Sequence, residues 1–260
     1  MNPPIPKIHA AVTCVDYADL LTRTIFQNAR ILSSVTVATS PHDESEAKVL
    51  DRIGKLMYYC DWSVHFTDAF TAKGAVFNRG AAINEVVTNL VAKHPNDWIL
   101  VLDADILFPP GLAETFDLLE PGNLYGCRRR VLKSYVGKRA VLHDPQQWVS
   151  LPMELDRFPV GYFQLFHASD PALQSQPIYP THWRHAGGSD DEFQLKWSKQ
   201  KKHWLPADVL HIGPTFEHWC GRNNNPQTVS MMAQIRERLT ATPHDLRNKK
   251  PIQEKIIYDS

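Results

Sequence analysis

With 260 residues, 43% of them hydrophobic, the chain has the length and composition of an ordinary globular protein, enough for one large domain or two small ones. Twenty-eight Lys and Arg balance 28 Asp and Glu, and no apolar segment approaches a membrane span, so the disordered and membrane-embedded classes are excluded. The first seven residues lack the basic start and apolar run of a secretory signal, so a cytoplasmic location is expected. Cys14, Cys60, Cys127 and Cys220 lack the paired spacing of a zinc site and read mostly as free, buried thiols.

In chain order, Ile8 to Thr13 reads as a strand, Tyr17 to Ile31 as a helix, Val35 to Thr39 as a second strand and Asp43 to Leu56 as a second helix. Asn78 to Lys93 places Ala82, Ile83, Val86, Val87, Leu90 and Val91 at the spacing of a helix packed on a sheet. His94-Pro95-Asn96-Asp97 ends that helix. Trp98-Ile99-Leu100-Val101-Leu102 follows as a strand buried on both faces. This βαβ alternation predicts a doubly wound α/β sheet. Beyond Pro109-Pro110-Gly111, Asn123 to Cys127 and Val160 to His167 read as strands, residues 140–158 as an irregular loop that is a candidate acceptor-side loop or lid, and Asp190 to Trp197 as a helix. Residues 251–260 read as a loosely held tail.

Asp103-Ala104-Asp105 leaves the carboxyl end of the central apolar strand, where open α/β sheets bind ligands. If the chain stays extended, both carboxylates face one side and can share a hard divalent cation, leaving positions for phosphate oxygens. The same three residues also occur in solvated turns. A second acidic cluster, Gly187-Gly188-Ser189-Asp190-Asp191-Glu192-Phe193, has two glycines that permit a tight turn and acids that open a helix. Helix capping explains those acids as well as chemistry does. There is no Gly-x-Gly-x-x-Gly after the first strand, no Gly-x-x-x-x-Gly-Lys, no Gly-x-Ser-x-Gly and no His-Glu-x-x-His, which removes support from dinucleotide, P-loop, esterase and zincin readings.

Phe77-Asn78-Arg79, Leu102-Asp103-Ala104-Asp105-Ile106, Gly187 to Phe193, and His211 with Trp219 downstream occur in an order that resembles the GT-A glycosyltransferases. The likeness is to the β-1,4-galactosyltransferase and xylosylprotein galactosyltransferase type. It implies a Rossmann-like, doubly wound mixed sheet in a single GT-A domain over residues 1–222, with a nucleotide-sugar half over about 8–110 and an acceptor half over about 111–222. A C-terminal helix and tail would occupy 223–260. By the same resemblance, Asp103, Asp105 and His211 hold a divalent metal, Mn2+ or Mg2+, with His218 the alternative to His211. Asp103, Thr13, Asp16, Asn78 and Arg79 lie beside the nucleotide, and Asp190 is the catalytic base with Asp191 next to it. Ala186 and Ser189 depart from the aromatic residue and the acid that flank the glycine pair in the family, which implies a different acceptor. Trp183 offers a stacking surface nearby.

The expected activity is inverting transfer of a hexose from a UDP-sugar to a hydroxyl acceptor. Six basic side chains without an acid between Arg128 and Arg139, and Lys196, Lys199, Lys201 and Lys202, read either as solvated surface or as a phosphate-binding face. In the second reading Arg128, Arg129, Arg130, Lys199, Lys201 and Lys202 contact nucleic acid, and the acceptor is a hydroxylated base of the kind found in phage-type DNA. A non-catalytic carbohydrate- or nucleotide-binding module and a sugar-phosphate nucleotidyltransferase are the rival readings.

Overall fold

In the computed structural model, which describes residues 6–42, 44–75, 77–132, 141–142, 144–154, 161–185 and 187–213, apolar runs stack as neighbouring strands. β1 (Ile8–Thr13), β2 (Ser34–Thr39), β3 (Asp61–Phe66) and β4 (Trp98–Asp103) pair in parallel in the order β3-β2-β1-β4. Alternation along the strands divides their side chains between two helix layers. Ile8, Ala10 and Val12 of β1 and Leu100 and Leu102 of β4 pack with Leu21 and Ile25 of α1 (Ala18–Asn28) and Leu50 and Ile53 of α2 (Glu44–Leu56). Ala11, Ile99 and Val101 pack on the opposite face with Ala82, Ile83, Val86, Val87 and Leu90 of α3 (Arg79–Lys93). Each such fully buried Ile, Leu or Val contributes about 1.5–3 kcal/mol relative to exposure, so burial on both faces fixes the strand register.

The second half of the sheet is mixed. β8 (Phe163–His167) runs antiparallel to β4, β6 (Leu124–Leu132) antiparallel to β8, and β9 (Lys202–Ile212) parallel to β6. β5 (Ile106–Leu107) closes the row antiparallel to β9, and β7 (Met153–Glu154) pairs with β6. Nine strands among the described residues thus form one sheet. A short helix, α4 (Ser189–Phe193), continues as a 3-10 turn through Lys196. No helix among the described residues is long and apolar enough to cross a membrane.

The differences from the sequence reading concentrate where polar residues occupy strands. β3 was not anticipated, because its alternation leaves one face half-exposed at the sheet edge. β6 continues to Leu132 rather than ending at Cys127, since its arginines find partners: Arg129 lies over the Tyr162 ring at 4.4 Å, and Arg130 pairs with Asp208 of β9 at 2.8 Å. β9 carries Lys202, His203, Pro206 and Asp208 before its apolar end, which hid it as a strand. The stretch taken as irregular contains a 3-10 helix (Pro145–Ser150) and β7, with Trp148 buried and donating from Nε1 to the Val141 carbonyl at 2.7 Å. His218 and the helix and tail expected over 223–260 lie outside the described residues.

Candidate functional site

Parallel pairing of β1 with β4 sets Thr13 opposite Asp103 at the carboxyl edge of the sheet. α3 begins there, and its first residue, Arg79, is only 7% exposed. Its guanidinium donates from Nη2 to Asp103 Oδ1 and to the Gly161 carbonyl, both at 2.6 Å, and from Nε to Thr13 Oγ1 at 3.3 Å. One rigid fork therefore ties together the ends of β1 and β4 and the residue leading into β8. Burial opposes charge on Arg79, but Asp103, Tyr179 and Asp190 outweigh it and its pKa is raised. Asn78 is the N-cap of α3: Oδ1 accepts from the Ala81 N–H at 2.9 Å, and Nδ2 donates to the Thr181 carbonyl at 2.7 Å. Asn78 and Arg79, two of the five residues expected beside the nucleotide, thus direct hydrogen bonds into the protein.

The chain after β4 is pinned from beneath by α1. Thr24 Oγ1 donates to the Ala104 carbonyl at 2.7 Å, and Asn28 bonds the Ile106 carbonyl at 2.7 Å and the Phe108 N–H at 2.9 Å. Both are 1% exposed, so these polar groups serve the loop rather than solvent. β5 then pairs with β9, Ile106 opposite His211, and the Ile212 N–H donates to the Asp105 carbonyl at 2.9 Å. That register brings His211 Nε2 to 3.1 Å from Asp105 Oδ2, across 106 positions of sequence. Burial alone would raise the Asp105 carboxyl, but the adjacent His211 holds it below the usual range. Asp103 moves the other way, raised by burial and by Asp105 despite Arg79.

Asp105 Oδ1 and His211 Nδ1 are buried and have no hydrogen-bond partner among the described residues. An orphaned carboxylate oxygen beside an imidazole at the end of a sheet is an arrangement that a divalent cation completes. Asp103, Asp105 and His211 do not, however, bring three ligand atoms within 4.8 Å of one another among the described residues, and Asp103 Oδ1 is bonded to Arg79.

Asp190, in the first turn of α4, joins the same region through Gly161, whose N–H donates to Asp190 Oδ2 at 2.7 Å. Oδ1 of Asp190 accepts no hydrogen bond among the described residues. A Cβ on residue 161 would lie 2.5 Å from Arg79 Nη1 and 2.8 Å from Asp190 Cβ, so glycine is required where these two side chains approach. Gln164 Nε2 donates to the Asp190 carbonyl at 3.2 Å, and Gln164 Oε1 accepts from the buried Tyr179 hydroxyl at 2.9 Å. Asp191 accepts from Gln194 along the helix at 3.4 Å. Gly188 has φ +96 and meets the Trp183 indole, whose Nε1 donates to Glu192 at 2.9 Å. Ser189 is fully buried against Gly80, so the acid found there in the resembled family has no room.

The loop after β1 rests on Glu46 of α2, a residue the sequence reading missed. Glu46 Oε1 accepts from Cys14 Sγ at 3.2 Å and the Tyr17 N–H at 3.1 Å, and Oε2 accepts from Thr39 Oγ1 at 3.0 Å. It is 3% exposed, and burial raises its pKa. Between these anchors Asp16 adopts φ 60, a strained conformation for a non-glycine residue. The signal available in the sequence was a single acid on the apolar face of an amphipathic helix. Cys14, Cys60 and Cys127 are free thiols whose pKa values are raised by burial, Cys60 to about 11, which disfavours the thiolate. Of the basic clusters, Arg128 is exposed, Arg129 and Arg130 are engaged as described above, Lys202 donates to Gln194, and Lys199 and Lys201 are exposed; Lys133, Lys138 and Arg139 lie outside the described residues.

No family model and no curated protein matches the chain. Solved structures do. A mannosyltransferase from Pyrobaculum calidifontis, solved with GDP-Man and Mn2+, is 14% identical with a TM-score of 0.52, over 82% of this chain and 59% of its own. GalNAc-T7, solved with UDP, GalNAc and Mn2+, is 11% identical with a TM-score of 0.52, over 90% of this chain and 48% of its own. The chain therefore spans less than two thirds of either neighbour. At this identity the likeness is one of fold, and the fold is the GT-A glycosyltransferase fold that the motif order led us to expect.

Proposed function

We propose that the chain is a metal-dependent glycosyltransferase that moves a sugar from a nucleoside-diphosphate donor to a hydroxyl acceptor. The observation that carries this reading is the meeting of Asp105 with His211 at the carboxyl edge of the sheet, one hydrogen bond's length apart and each with a buried unpartnered atom. The two solved neighbours of the same fold, bound to nucleotide or nucleotide-sugar and Mn2+, support the same donor class.

Asp105 and His211 would hold the cation, and Asp103 would join them by a shift of its side chain. When bound there, a divalent cation supplies positive charge against the diphosphate that departs. Thr13 at the end of β1 and Asp16 on the strained turn braced by Glu46 are the residues we assign to the nucleoside. Arg79 is a positioning residue: it fixes the orientation of Asp103 and of the Gly161 carbonyl, and through Gly161 the placement of Asp190. Asp190 takes the proton from the attacking acceptor hydroxyl. One of its oxygens is anchored by the Gly161 N–H and the other is left for that proton, the division of labour a positioned base needs. Trp183, locked by Glu192 beside Gly188, offers the acceptor an aromatic face. A base on the acceptor side supports direct displacement, hence inversion, and a UDP-hexose is the donor we favour. The protein acts in the cytoplasm. For the acceptor a small hydroxylated molecule is favoured over nucleic acid, because Arg129 and Arg130 are already engaged within the protein.

Replacing Asp190 by Asn tests the catalytic assignment. Donor and metal affinity should persist while transfer falls by roughly two to four orders of magnitude, the usual worth of a positioned base. Asparagine keeps an oxygen that can accept from the Gly161 N–H, so near-normal transfer would leave Asp190 only that structural role in the first turn of the helix.

A further inference from the structure

At the opposite edge of the sheet, where β1 and β4 begin and α3 ends, His9, His94 and Asp97 bring one ligand atom each within 4.8 Å of the others. We propose that these three residues form a second metal site, for a borderline transition ion such as Zn2+, separate from the candidate catalytic centre. His9 and Thr13 lie at opposite ends of β1, so the two sites are about 13 Å apart along the strand.

The spacing carries the proposal. His9 Nε2 lies 3.1 Å and His94 Nδ1 3.7 Å from the same oxygen, Asp97 Oδ2. The longer distance is too great for a hydrogen bond. Two ligands at about 2.1 Å from a tetrahedral ion are themselves about 3.4 Å apart, and the two distances straddle that value. Ligation by His9 Nε2 places the ring proton on Nδ1, where Ser34 Oγ lies at 2.7 Å and accepts it. That is the outer hydrogen bond that orients a metal-bound imidazole. Without a cation the same tautomer would aim a nitrogen lone pair at a carboxylate oxygen. The site also sits at the C-terminus of α3, whose last carbonyls favour positive charge. Lys7 and Lys93 oppose it from nearby, and the Asp97 carboxylate favours it.

Two imidazoles and one carboxylate select Zn2+ or Co2+ over Mg2+ or Ca2+, with water completing the shell. The rings now stack at 3.6 Å between centroids with 12° between their planes; a shared ion must lie near both ring planes, so binding requires the half-buried His94 to turn out of this stack. A bound ion would staple the α3–β4 turn to β1 and leave the catalytic edge untouched, making the site structural.

The test uses the whole chain without an affinity tag, stripped of metal and titrated with Co2+ and then Zn2+. One equivalent of Co2+ should give a visible tetrahedral absorption that Zn2+ displaces. Zn2+ at a hundredfold excess over Kd should raise the unfolding midpoint by about 5 °C or more. H94A and the isosteric D97N should weaken affinity at least tenfold, whereas D105N should leave this absorption unchanged. The proposal is overturned if no Co2+ absorption appears, or if D105N abolishes it while H94A and D97N retain it. H94A changes a half-buried turn residue and D97N preserves shape, so agreement between them separates lost ligation from lost folding.

Discussion

Replacing Arg79 by Met removes a buried guanidinium while keeping much of its stem. Three acceptors lose their donor at once: Asp103 Oδ1, the Gly161 carbonyl and Thr13 Oγ1. The Asp103 side chain is 34% exposed, so water recovers part of its loss. The Gly161 carbonyl is buried and loses about 1–3 kcal/mol outright. Taken with the broken ion pair, the expected cost is about 3–5 kcal/mol, the range for removing one partner of a buried pair. For a chain of this size that lowers the unfolding midpoint by roughly 6–20 °C. Urea unfolding followed by circular dichroism should show a lower midpoint with an unchanged slope. Lysine at 79 offers a point charge in place of a fork and should fall between the two. A loss of no more than about 0.5 kcal/mol in the Met variant, the value for an ordinary surface change, would refute the picture of Arg79 as the strut of this edge.

Glu46 gives a pH signature. Its folded-state pKa is raised by burial above the ordinary 4.5, so its favourable contribution is full below pH 4.5 and is lost as pH rises through the folded value. E46Q, whose amide can donate to Thr39 Oγ1, should gain stability relative to the parent across that window and hold a constant advantage above it; urea midpoints at stepped pH would show a flat difference if the reasoning fails. Were the acceptor nucleic acid, the protein would shift a labelled duplex at low salt with a steep salt dependence. We expect no such shift, and one that vanished on replacing Arg128, Lys199 and Lys201 by Ala would reinstate the polyanion reading.

The parallel half of the fold was legible in the sequence because strands buried on both faces must be continuously apolar, as Trp98 to Leu102 and Ile8 to Val12 are. The mixed half was not. The charged residues of β6 and β9 meet across strands, Arg130 with Asp208, so neither strand shows apolar alternation by itself. Pairing of β5 with β9 is a long-range event that no local pattern records, and it alone explains why His211 reaches Asp105. Motif order nonetheless brought His211, Asp105 and Asp190 into consideration. The roles of Thr24, Asn28 and Glu46 stayed hidden because a polar residue on an apolar helix face looks like noise until its backbone partner is known. Arg79 reads from sequence as a residue beside the nucleotide whose fork suits phosphate or a base edge; its burial and its three internal acceptors are what the sequence did not show.

The central claim, a metal-dependent nucleotide-sugar site built on Asp105 and His211, is tested most directly by release of nucleoside diphosphate from a panel of nucleotide sugars, with and without Mn2+, by the parent chain and by D105N. We predict that the parent turns over at least one donor, a UDP-hexose first among them, only when Mn2+ is present, and that D105N binds and hydrolyses none while unfolding as cooperatively as the parent. Turnover in D105N equal to that of the parent at the same Mn2+ concentration would contradict the account.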